Sequence, residues 1–240
     1  MRNIWVYIVV AVVALGGAVA IFNAVNNNNP TSHIKNDNFE KKKSEQEATL
    51  GIVEPDRTFG TIETAASDII LGKKNAPVTI IEYASLTCGH CSDFHLKVLP
   101  EIKKLFIETG KVKFIYRDFP LDQWALRASI IARCAGPERR YSFIETFFAQ
   151  QKIWTRGNPA EGIVAIAKLG GMDFEKTTAC LQDEKLANAV VKERLTGTKL
   201  YEIEATPTIL VNGDRYSGGL SAEQLRVVVE NKLKIQTGGK

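Results

Sequence analysis

The apolar and polar positions divide this chain of 240 residues into an apolar head, a polar stretch and a patterned remainder. No charged residue occurs from Ile4 to Phe22, a run of 19 residues, close to the roughly 20 that cross a bilayer. Apolar all round and placed at the terminus, the run reads as a membrane or export segment rather than a core helix. Residues 23–67 are polar, show no hydrophobic period and read as a linker, with at most a short helix around Glu40–Leu50. The folded domain is expected from near Asp68 to about residue 237.

Within that domain, Val78-Thr79-Ile80-Ile81-Glu82-Tyr83-Ala84 is β-branched and reads as a buried strand. A helix is expected from about Cys88 to Thr109, ending at Gly110. Val112 to Arg117 reads as a second strand, closed by Pro120. Two strands joined by a long helix make a βαβ unit, so they should be parallel. Residues 121–200 are helical in pattern, cut into four or five segments by Gly136-Pro137, Gly157-Asn158-Pro159 and Gly170-Gly171. Thr208 to Val211 and Asp214 to Ser217 flank Asn212-Gly213, a hairpin signal. Ser221 and Gln224 form a capping box for a last helix reaching about Lys234. The expected fold is α/β: one sheet with an α-helical insertion between a β-α-β half and a β-β-α half.

Charge sharpens the picture at the N-terminus. Arg2 precedes the apolar run and no further Lys or Arg occurs until Lys35, which favours a cytoplasmic N-terminus and export of the rest. Ala18-Val19-Ala20 has the small-x-small pattern of a signal-peptidase site, so a cleaved signal peptide and a retained membrane anchor both stand. Either places the domain in the periplasm or another extracytoplasmic compartment, where disulfides persist. Elsewhere the net charge of +4 is dispersed, and Lys41-Lys42-Lys43 is the one tight basic run. No nucleic-acid partner is expected from it.

The candidate chemistry lies at Cys88-Gly89-His90-Cys91. Two cysteines three apart at a helix start can close a small disulfide ring. The unpaired N–H groups and positive end of the helix favour a thiolate at Cys88, the attacking sulfur. Cys91, one turn in, can resolve a mixed disulfide, and a charged His90 would stabilise the thiolate further. A structural zinc site is the first rival. It would draw on Cys88, Cys91 and His90 or His95, but needs a fourth ligand from Cys134 or Cys180 and lacks a second paired motif. A purely structural bridge is the second. A cysteine hydrolase lacks a separate general base, since only His95 and His33 remain. No metal and no cofactor is expected.

Leu71-Gly72-Lys73-Lys74-Asn75-Ala76-Pro77-Val78-Thr79-Ile80-Ile81-Glu82-Tyr83 running into Cys88-Gly89-His90-Cys91 resembles the DsbA-like family of exported disulfide oxidoreductases. Arg117-Asp118-Phe119-Pro120-Leu121, Thr206-Pro207-Thr208, and Val211-Asn212-Gly213 with Gly218-Gly219 match in order, so the resemblance covers about Asp68 to Lys234. It implies a thioredoxin-like fold. The Gly-His dipeptide departs from the Pro-His of the best-known members and is similar to that of eukaryotic protein disulfide isomerases.

The resemblance implies further roles. Pro207 matches a cis-proline facing the disulfide, which leaves the Thr206 backbone free to pair with an extended substrate; the plain alternative is a turn proline. Glu82 matches an acid beneath the second cysteine that relays a proton to or from Cys91; the alternative is an edge-strand Glu facing water. Cys134 and Cys180 match positions where some relatives carry a second, structural disulfide; the alternative is two buried thiols. Phe143, Phe147, Phe148 and Trp154, at helical spacing, read as core. The implied activity is oxidation of reduced or misoxidised exported proteins, with a membrane-bound partner that reoxidises the pair. A reductase or isomerase, and a thiol-dependent chaperone or metal carrier, are the competing functions.

Overall fold

The computed structural model describes residues 53–236. The apolar run, its signal or anchor reading, the helix around Glu40–Leu50 and the linker up to residue 52 lie outside the described residues. No helix among those described is long and apolar enough to cross a membrane.

Six strands form one sheet: β1 (Arg57–Thr58), β2 (Ile70–Leu71), β3 (Val78–Ala84), β4 (Val112–Asp118), β5 (Thr208–Val211) and β6 (Asp214–Ser217), in the order β1-β6-β5-β3-β4-β2. β3 and β4 are parallel, from Val78 opposite Val112 to Ala84 opposite Asp118; every other pair is antiparallel. The hairpin between β5 and β6 turns at Asn212-Gly213, both at positive φ (48° and 93°), which suits the right-handed strand twist. Only glycine fits here, because a Cβ on Gly213 would lie 1.7 Å from the Gly60 carbonyl.

That close approach belongs to a stretch the sequence assigns to the linker. Within residues 53–67, β1 pairs with β6 at the sheet edge, and the Phe59 N–H donates to the Gly213 carbonyl at 2.9 Å. Ile62 is buried with Tyr83 and Leu210. The polarity of this segment is that of an edge strand with one wet side.

Strand alternation divides the core. Val78, Ile80 and Ala84 face the larger cluster, while Ile81 and Tyr83 face a smaller one containing Ile115, Phe119 and Leu210. The same alternation aims Glu82 into the larger cluster. Between β3 and β4 runs one helix, α1, over residues 89–107. It widens into π turns at Phe94–Val98 and Lys103–Ile107, where Leu99 N–H bonds the Phe94 carbonyl and Glu108 N–H the Lys103 carbonyl. Pro100 accounts for the first. It has no N–H for the Leu96 carbonyl and its ring would strike that oxygen, which the wider turn relieves.

The insertion contains six helices: α2 (Gln123–Cys134), α3 (Pro137–Ala149), α4 (Gln151–Trp154), α5 (Pro159–Leu169), α6 (Phe174–Leu181) and α7 (Glu184–Tyr201). Asp122, Asn158, Asp173 and Asp183 cap α2, α5, α6 and α7 by accepting backbone N–H groups. The Asp183 cap and the short α4 exceed the segments that Gly and Pro mark in the sequence. A buried ionic knot ties the insertion to β4. Asp118 accepts from Arg133 at 2.7 Å and Arg140 at 2.8 Å, and Arg133 also donates to Glu193 on α7 at 2.6 Å. The last helix, α8 (Ala222–Gln236), starts at the reciprocal Ser221–Gln224 box.

Candidate active site

β3 ends at Ala84, and a tight turn reverses the chain, with the Cys88 N–H bonded to the Ser85 carbonyl at 3.0 Å. Thr87 fastens the turn to the insertion by donating to Asp122 at 2.6 Å. Cys88 then sits at the N-cap of α1 with extended backbone (φ −78°, ψ 120°) and contributes no side-chain cap bond, so its sulfur remains available at the helix end. Cys91, one turn on, is fully buried.

The two free thiols have opposite acidities. The Cys91 thiol hydrogen-bonds to the Cys88 sulfur and is the largest influence lowering it; half-burial opposes, and Thr206 and the backbone N–H groups of Cys91 and His90 assist. Cys88 is pulled down to about 5 from an ordinary 9.0. Burial first, then the Cys88 sulfur and the negative charge of Glu82, push Cys91 far above the ordinary thiol range. At neutral pH the pair is therefore one half-exposed thiolate and one buried thiol.

Thr206 offers two oxygens to Cys88. As a thiol, Cys88 donates to the Thr206 carbonyl at 3.3 Å, which favours the protonated form. The Thr206 hydroxyl is buried and otherwise unpartnered, and can donate to the thiolate. The net effect of Thr206 is to lower Cys88. The Thr206–Pro207 peptide is cis. The His90 ring is exposed, and what His90 supplies to the sulfur is its backbone N–H.

Beneath Cys91, Glu82 is fully buried, with Oε2 2.7 Å from Nε2 of His95. The edge-strand alternative for Glu82 does not apply to a side chain in this position. His95 lies one turn after Cys91 on α1 and stacks on Phe148, ring centroids 4.2 Å apart. The insertion reaches the site through Gln151, whose amide donates to the carbonyls of Leu86 (2.8 Å) and Cys88 (2.9 Å), and through Ser92, which donates to the Phe148 carbonyl at 3.0 Å. The sequence reading missed the roles of His95 and Gln151. A glutamate on the core face of β3 demands a partner, and the i+4 relation of His95 to Cys91 was the available clue; nothing local distinguishes Gln151.

Cys134 and Cys180 are bonded to each other, joining α2 to α6 with Cα atoms 5.9 Å apart. This takes away both candidates for a fourth zinc ligand. Among the described residues no group of three or more His, Cys, Asp and Glu side chains could hold a metal.

A thioredoxin family model matches residues 64–231. The chain is a DsbA-like member of the thioredoxin superfamily. A Rickettsia bellii protein with the provisional name protein-disulfide oxidoreductase is 33% identical over 181 residues, covering 73% of this chain and 70% of that one. The crystal structure of Wolbachia pipientis alpha-DsbA1 matches with TM-score 0.69 and 28% identity, over 73% of this chain and 96% of that one. Oxidised BdbD from Bacillus subtilis matches with TM-score 0.65 and 25% identity, over 75% and 100%. The DsbA-like frame thus spans the βαβ unit, the insertion and the closing hairpin with its helix.

Proposed function

We propose that this protein is an extracytoplasmic thiol–disulfide oxidoreductase that passes the Cys88–Cys91 disulfide to reduced exported proteins. The observation that carries the reading is the polarised pair: an accessible sulfur lowered to about 5 beside a buried one raised far above 9.0. A substrate thiolate attacks Cys88 Sγ, the Cys88–Cys91 bond breaks, and its electron pair leaves on Cys91. A second substrate thiolate then attacks the substrate sulfur of the mixed disulfide and expels Cys88 as its stable thiolate. Two electrons have moved from substrate to enzyme. The names of the relatives support the chemistry. Thr206 beside the cis-proline offers backbone to an extended substrate. The apolar run behind Arg2 supports export, with residues 1–22 either a cleaved signal peptide that leaves the domain secreted or an anchor that tethers it. Turnover requires an electron acceptor, and a membrane-bound oxidant suits that location.

Direction follows from which form the protein stabilises. A low Cys88 value stabilises the dithiol state at neutral pH and makes the disulfide the stronger oxidant. Equilibration with glutathione should give a potential above thioredoxin's, about −270 mV. The oxidised protein should also convert a reduced multi-cysteine substrate stoichiometrically. A potential at or below that value, with the pair mostly reduced in cells, would replace the oxidase with a reductase or isomerase.

A further inference from the structure

Any route that closes the Cys88–Cys91 disulfide meets a proton problem. Cys91 must attack as a thiolate, yet its sulfur is fully buried and has no direct contact with water. In the dithiol form its proton points at Cys88. In a mixed disulfide that acceptor is gone, because the Cys88 sulfur is covalently bonded to the substrate. The proton needs another base in the core.

The titratable groups facing this space are few. From β3 comes Glu82, from α1 His95, from β4 Tyr116 and from α3 Tyr141. Arg140 and Asp118, which also act on Tyr116, are bonded to each other. Burial holds both tyrosines protonated, so neither accepts a proton. Glu82 and His95 remain. Their contact uses Oε2 and Nε2, while Glu82 Oε1 and His95 Nδ1 are buried without a hydrogen-bond partner. A lone carboxylate in this apolar cluster would be a buried polar group without a partner. An imidazole N–H donated to Oε2 pairs that oxygen and leaves Oε1 free.

We infer that His95 is a positioning residue for the proton relay that the family resemblance implies at Glu82: its imidazole fixes Oε2 and leaves Oε1 free to accept the proton of Cys91 when Cys91 resolves a mixed disulfide. The inference rests on the disulfide-exchange reading. In the step, the Cys91 Sγ–H proton moves to Glu82 and the Cys91 thiolate attacks Cys88 Sγ. The bond between Cys88 and the substrate sulfur breaks, and the substrate leaves as a thiolate. The proton stays in the core on the acid while the departing thiolate carries the negative charge away. In reverse, when a substrate opens the disulfide, the same pair returns a proton to Cys91.

The test is release of glutathione from protein carrying glutathione on Cys88, followed against pH by stopped flow. His95→Phe keeps a ring on Phe148 and removes the N–H. It should slow release at neutral pH at least ten-fold and move the profile to higher pH. His95→Gln restores a donor to Glu82 and should recover the rate to within about three-fold. Glu82→Gln keeps a bond to His95 but is no base, and should be as slow as His95→Phe. The pH midpoint for alkylation of Cys88 in the reduced proteins should stay near 5. A wild-type rate and profile in His95→Phe, or in Glu82→Gln should His95→Phe not fold, overturns the inference. So does slowing accompanied by a displaced Cys88 midpoint, which marks a distorted turn. Failure of the wild-type protein to release glutathione at all would instead remove the exchange reading beneath it.

Discussion

The molecule holds two cysteine pairs, and they have almost nothing in common. Cys88 and Cys91 share one turn at the open end of a helix, unbonded, one half-exposed and one buried. Cys134 and Cys180 are 46 residues apart on two helices of the insertion and are bonded. The first pair is surrounded by groups that treat its two sulfurs differently: the helix end, Thr206 and Gln151 around Cys88, and Glu82 with His95 beneath Cys91. The second closes a long loop in a helical block. Environment, more than the presence of a disulfide, separates a reagent from a staple.

Removing each pair should break the comparison in opposite ways. Cys88→Ala should abolish disulfide transfer and leave the fold intact. The double change Cys134→Ala with Cys180→Ala should keep transfer per folded molecule within about two-fold. In the chain-entropy model its stability cost is roughly 4 kcal/mol for a loop of this length. Urea melts and a transfer assay on both variants decide it, and a staple variant that folds but fails to transfer would join what the structure separates.

The acidity of Cys88 predicts a pH dependence confined to the reduced protein. Its folded value of about 5 lies below the ordinary 9.0. The thiolate's stabilisation is therefore complete above about 9, lost progressively as pH falls, and gone below about 5. The oxidised protein lacks both thiols; Cys91, held protonated when folded, opposes the trend only near and above the ordinary 9.0, and the remaining groups are common to both forms. The stability of the reduced form relative to the oxidised should rise between pH 5 and 9. A difference that stays flat in paired urea melts would contradict the site.

The fold was legible where one local signal governed it. The β-branched runs of β3 and β4, Asn212-Gly213 and the Ser221–Gln224 box each name their element. β1 and β2 were not legible, because two-residue edge strands take their form from a neighbour rather than from their own pattern. The π turns of α1 follow from Pro100 only once the helix is known to continue through it. At the site, Cys88 and Cys91 were legible from spacing and placement. Thr206, Pro207 and Glu82 came from the family resemblance, and the core face of Glu82 follows from strand alternation. His90 is exposed and supplies its backbone N–H to Cys88, whereas the histidine engaged with the buried acid is His95. Gln151 was invisible because it reaches the active turn from 63 residues away.

A smaller effect sharpens the boundary between the regions. Gln151→Leu removes two bonds holding the turn to the insertion. The Cys88 carbonyl still accepts from the Ser92 N–H, but the bond to the buried Leu86 residue's carbonyl is lost. The expected cost is about 1–3 kcal/mol, with transfer slowed several-fold and the Cys134–Cys180 bond unaffected. Unchanged transfer would mean that the turn needs no support from the insertion.

The central claim is that one helical turn holds a ready nucleophile and a withheld one. Alkylation of the reduced native protein across pH, with each cysteine read separately by mass spectrometry, tests it most directly. The account predicts that Cys88 reacts with a midpoint near pH 5 while Cys91 stays unmodified throughout. Equal rates at the two sulfurs, or a Cys88 midpoint near the free-thiol value of about 8.5, would contradict it.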